Sequence, residues 1–113
     1  MKYNFYVKKI DTTQSIYFMV NTEPEQSSLE YLFFSIYNKN QIQTIIDGVL
    51  STKDSGKEYK YQTEGDDLYI YSNSYAVQFF NLRGGKKEAE LKLVHDEFIS
   101  FLEDFKKFVE ANS

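Results

Sequence analysis

The chain has 113 residues, 42% of them hydrophobic and 27% charged, with a net charge of −4. That length and balance describe one globular domain, residues 1–113, able to bury roughly two thirds of its unfolded surface, and they exclude a disordered chain. Ten Phe and ten Tyr supply packing and contact material, while zero Cys, zero Trp and the lone His95 exclude a disulfide framework and a thiolate metal site and leave few of the usual groups of catalysis.

An acidic surface repels phosphate backbones, so direct nucleic-acid binding is not expected and a basic protein is the better electrostatic match. The start, Met1 to Lys9, lacks the long apolar stretch of a signal peptide. The longest apolar block, Tyr31 to Tyr37, is far short of a membrane span. The expectation is a cytoplasmic protein with no membrane partner.

Lys2 to Ile10 alternates, with Tyr3, Phe5 and Val7 on one side and Asn4, Tyr6 and Lys8 on the other, the pattern of a half-buried strand. Asp11 to Gln14 reads as a turn. Ser15 to Asn21 is a second strand, with Ile16, Phe18 and Val20 on one face and Tyr17 and Met19 on the other, a composition that fits cover on both sides. Thr22 to Ser28, with the only proline, Pro24, reads as a surface loop. Leu29 to Tyr37 is expected as a third, central strand because both its faces are apolar.

Asn38 looks like an N-cap, with Gln41 placed to complete a capping box. Ile42, Ile45, Ile46, Val49 and Leu50 then form the stripe of an amphipathic helix. Gly48 inside it costs about 1 kcal/mol relative to Ala and marks fraying or a close approach to the sheet. Ser51 to Lys57 is a polar loop. Four short strands follow, over Glu58 to Thr63, Asp67 to Ser72, Tyr75 to Leu82 and Lys87 to Val94. The tight turns at Glu64-Gly65-Asp66, Ser72-Asn73-Ser74 and Arg83-Gly84-Gly85-Lys86 make them an antiparallel meander. A closing helix carries Phe98, Phe101, Leu102, Phe105, Phe108 and Val109 on one face, with Asp96 as its N-cap. The expected fold class is α+β: an antiparallel or mixed sheet of about six to seven strands, in the order β-β-β-α-β-β-β-β-α, with two amphipathic helices packed on it.

His95 lacks a nucleophile or metal-site companion nearby in sequence, so a capping or surface role outweighs a catalytic one. Glu64, Asp66 and Asp67 surround Gly65, but their spacing does not match a calcium loop; the carboxylates suit a plain hairpin tip or, against a basic partner, an acidic knob. The basic turn from Arg83 to Lys87 lacks the phosphate-loop pattern and reads as a plain hairpin turn. Tyr59, Tyr61, Tyr69, Tyr71 and Tyr75 fall on neighbouring strands. If the first four share a face they form an aromatic platform beside the acids, and tyrosine is favoured at protein interfaces. The competing reading places one tyrosine layer under a helix. The candidate partner-binding residues are Glu64, Asp66, Asp67, Tyr69 and Tyr71, with no catalytic residue, no metal and no cofactor expected.

From Gly56 to Thr63, through Gly65-Asp66-Asp67-Leu68-Tyr69-Ile70, and again from Glu97 to Val109, the layout resembles the YacL-like family of small uncharacterised bacterial proteins. The shared features are a Gly-x-Glu-Tyr strand, an acid-Gly-acid turn and a closing helix ending in an aromatic-Val pair. These are structural motifs, and the resemblance implies a fold rather than an activity. The segment before the closing helix is shorter here. In type rather than in motif, the chain also resembles the immunity proteins of bacterial contact-dependent growth inhibition, which are small, acidic, cytoplasmic, Cys-poor and often aromatic-rich. That resemblance implies a non-enzymatic antitoxin that binds and occludes a cognate toxin domain, a basic nuclease being the expected partner. The alternative is a housekeeping YacL-like protein that binds a small ligand or self-associates as a dimer.

Overall fold

A computed structural model, describing residues 1–10, 15–63, 65–84 and 88–113, shows seven antiparallel strands divided between two sheets rather than joined in one. The first sheet is β1 (Tyr3–Ile10), β2 (Ser15–Thr22) and β3 (Phe34–Ser35), in that order. The second is the expected meander: β4 (Tyr59–Gln62), β5 (Leu68–Ser72), β6 (Val77–Asn81) and β7 (Leu91–Leu93). Two α-helices, α1 (Gln41–Thr52) and α2 (His95–Ala111), lie against each other. The turns expected at Asp11 to Gln14 and around Glu64, and the tip of the Arg83 turn at residues 85–87, lie wholly or partly outside the described residues.

The predicted third strand is largely not a strand. Pro24–Tyr31 forms 3-10 turns, interrupted at Gln26, and only Phe34–Ser35 pairs with β2. Pro24 fits the first helical position because its fixed φ suits a helix start and its missing N–H needs no partner there. Leu29 and Leu32, three apart as a 3-10 turn requires, are both buried. Ile36 and Tyr37 lie in the following turn and are exposed, Tyr37 at 94%.

Helix α1 starts later than its expected cap. Asn38 does not cap it: its Oδ1 accepts the Ser35 N–H at 2.6 Å and closes the preceding turn. Asn40 occupies the cap position without a side-chain bond. Ile42, Ile45, Ile46 and Val49 are buried as the stripe requires, but Leu50 sits at its margin and is exposed, while Thr52 takes the buried place. The Thr52 hydroxyl donates to Val49 O and lies 2.8 Å from Ser72 Oγ, so the serine hydroxyl donates to Thr52 and ties α1 to β5. Asp96 likewise is not a cap. It lies in the first turn of α2, where its charge suits the helix dipole, and it accepts Lys53 Nζ at 2.6 Å across the two helices.

One core serves both sheets. Phe98 meets Phe79 of β6 edge-on at 5.0 Å, while Phe105 meets Phe34 of β3 at 5.1 Å and Phe5 of β1 at 4.6 Å. Helix α2 therefore spans the two sheets and covers the inner face of each. Each buried phenylalanine contributes on the order of 1.5–3 kcal/mol. Among the described residues, no helix is long and apolar enough to cross a membrane.

Candidate protein-binding face

The register of the meander decides which tyrosines are available. Tyr61 pairs with Ile70, Ile70 with Phe79 and Phe79 with Leu91, while Tyr59 pairs with Ser72, Ser72 with Val77 and Val77 with Leu93. These rows form the inner face, and Tyr59 and Tyr61 pack against the core. The alternate residues form the outer face: Gln62, Tyr69 and Phe80 in one row, and Lys60, Tyr71, Gln78 and Lys92 in the next. The four tyrosines therefore do not share a face. One pair lies inside, beside α1, and the other outside.

Burial raises the Tyr59 hydroxyl pKa first, with the neighbouring Tyr61 adding to it. Tyr59 also explains Gly48. A Cβ at that helix position would lie 2.3 Å from Tyr59 Cε1, so glycine permits the close approach of α1 to β4.

On the outer face, Tyr69 and Tyr71 are half-buried, and the Tyr69 and Phe80 rings lie 6.0 Å apart with a 50° tilt. The Tyr71 hydroxyl pKa is raised chiefly by its hydrogen bond to the Glu58 carboxylate. Phe80, Lys60 and Lys92 were not among the residues expected here, although the parity of each strand carries them onto this face. Tyr75 stands in the turn between β5 and β6, 88% exposed.

The acidic corner is only partly a knob. Asp66 is exposed, adopts a left-handed φ of 56°, and accepts the Gln62 side-chain amide at 2.7 Å. Asp67 is half-buried and ion-paired with Arg83, whose own turn it thereby pins. Glu64 lies outside the described residues. Among the described residues, no group of three or more His, Cys, Asp or Glu is placed to hold a metal ion.

His95 is neither exposed nor a cap. It is buried at the first position of α2, and its Nε2 lies 2.6 Å from the Asn73 carbonyl, to which it must donate. Asn73 in turn accepts the Tyr75 and Ala76 amides. The histidine thus fastens the β5–β6 turn to the closing helix.

The outer face of the first sheet is open as well. Tyr17 and Met19 are half-buried, and with Lys8, Ile10 and Phe33 they line a groove of about 280 Å³. The alternation of β2 suggested cover on both faces, yet α2 packs on the inner side, through Phe105 and Phe108. Comparison with family models, with curated proteins and with solved structures returns no match for this chain.

Proposed function

We propose that this chain is an immunity protein of the cytoplasm, one that binds a cognate bacterial toxin domain, most concretely a basic nuclease, and occludes its active site. The observation that carries the reading is the outer face of β4–β6, which no described helix or strand covers and where half-buried Tyr69, Tyr71 and Phe80 present rings between the Glu58 and Asp66 carboxylates. Tyrosines of this kind give large contact area with a hydrogen-bonding tip, and they anchor interfaces. The net charge of −4 favours a basic partner. Lys60 and Lys92 share the face, so the acidic match is confined to its Glu58 and Asp66 borders.

The test is whether the gene beside this one encodes a toxin domain, and surface plasmon resonance against that gene's product at low and high salt. Rim charges set association and aromatic anchors set dissociation. Replacing Tyr69 or Tyr71 by Ala is expected to speed dissociation about tenfold or more, equivalent to ~1.4 kcal/mol. Glu64→Gln, Asp66→Asn and Asp67→Asn together are expected to slow association and flatten its salt dependence, the last also by releasing Arg83. Unchanged rates in all these variants would move the interface elsewhere, and no binding by the neighbouring domain would end the immunity reading.

A further inference from the structure

Among the described residues, strand β1 has a neighbour on one side only. All eight of its residues pair with β2, in unbroken register from Tyr3 with Thr22 to Ile10 with Ser15. Among the described residues no strand pairs with its other edge. Such an edge is a row of unpaired amide and carbonyl groups, a template for another strand. The first half of β1 is held against α2 through Tyr3 and Phe5, whereas Val7, Lys8, Lys9 and Ile10 are all exposed.

Charge decides what fits. Residues 1–22 carry Lys2, Lys8 and Lys9 against Asp11 alone, in a chain whose net charge is −4. The three strands of this sheet contain Lys8 and Lys9 and no acid. Lysines on an edge repel a second copy of the same strand, the usual means of blunting such edges. They attract a strand that carries carboxylates.

We propose that the free edge of β1 binds an extended acidic segment of a partner protein as an added strand. Main-chain hydrogen bonds supply the affinity, and alternate side chains supply the selectivity. The carboxylates of the segment lie by Lys8 on one face of the sheet or by Lys9 on the other, according to the register it takes. The site is on the other sheet from the tyrosine face and has the opposite charge preference, so it stands whether or not the immunity reading does.

The probe is a fluorescein-labelled peptide of about ten residues, the length of a long strand, alternating glutamate and valine. Its twin has lysine in place of glutamate. Two further glutamate peptides are N-methylated on alternate amides, one set of each parity. Binding is read by fluorescence anisotropy at low salt. The glutamate peptide is expected to bind at least tenfold more tightly than the lysine twin. One N-methylated parity is expected to lose binding while the other keeps it, because only one side of an added strand faces β1. Lys8→Glu with Lys9→Glu, both exposed in the fold, is expected to invert the preference between the twins. Equal binding of the twins, indifference to N-methylation, or no binding at about 1 mM peptide, the weak end of specific affinity, each overturns the proposal. So does a dimer by sedimentation that the double charge reversal dissociates, since the edge would then belong to a second copy.

Discussion

Gly48 and Tyr3 show how single side chains set local limits in this fold. A methyl group at residue 48 would lie 2.3–2.5 Å from three atoms of the Tyr59 ring, which is half-buried between α1 and the sheet. Gly48→Ala gains about 1 kcal/mol of helix propensity but pays overpacking of roughly 1–3 kcal/mol. Net destabilisation in urea melts is expected, relieved when Tyr59→Leu is added; a more stable single variant would show that the ring yields freely. The sequence left Gly48 open between fraying and a close approach to the sheet, because nothing local says which strand a helix will meet. Tyr3 sets a pH limit. Burial, then its hydrogen bond to the Asp104 carboxylate and the charge there, pushes its hydroxyl pKa up from 10.0 to about 12. The folded state therefore holds this proton more tightly than the unfolded state does. Its contribution is fully present below pH 10.0 and is lost as the pH rises towards about 12. Thermal melts above pH 10 are expected to fall steeply in the wild type and less steeply in Tyr3→Phe. Tyr59 and Tyr71, raised in the same direction, leave some slope behind. An unchanged slope in Tyr3→Phe would mean that this proton is not coupled to folding.

At the scale of elements, what could be read depended on how many residues repeat a signal. Helix α2 buries Phe98, Phe101, Leu102, Phe105 and Val109, and each of these falls on the expected stripe. Phe101→Ala and Phe105→Ala are each expected to cost roughly 3–5 kcal/mol in denaturant melts, against a few tenths for Lys107→Ala on the solvent side. Shifts below about 1 kcal/mol for the phenylalanines would place them outside the core. The segment from Pro24 to Ser35 offered no such repetition. Its short apolar run fits a strand and a 3-10 turn equally, and only the tertiary positions of Leu29 and Leu32 decide between them. The candidate site failed to be fully legible for a related reason. Tyr69 and Tyr71 were placed correctly on the face away from Leu68 and Ile70, because alternation within one strand is local. Whether Tyr61 joins them depends on the register across the turn from Thr63 to Asp67. A slip of one residue would set Tyr61 opposite Tyr69 instead of Ile70 and turn it outwards. The left-handed Asp66 lies within that turn, and a loop of this length admits more than one geometry.

At the scale of the whole molecule, two sheets that share no strand pairing among the described residues must still fold as one body. The sequence order of strands and helices showed the α+β class, but not this division, since the gap between sheets lies at a segment with no strand signal of its own. Cooperativity then rests on α2, which reaches Phe79 through Phe98 and reaches Phe5 and Phe34 through Phe105, with Phe101 between them, stacked on Phe98 and edge-on to Phe105. If the helix is the coupling element, neither sheet retains its core without it. Buried amides in both sheets should then exchange only through global unfolding. Native-state hydrogen exchange in wild type is expected to show the same limiting free energy for Val20 in β2 and Ile70 in β5, both almost fully buried. Phe101→Ala is expected to lower the two by the same amount, because it weakens the element they share. Protection at Ile70 that survives while protection at Val20 collapses would show the meander to be a separate folding unit, leaving the β1–β2 ribbon as the part that depends on α2.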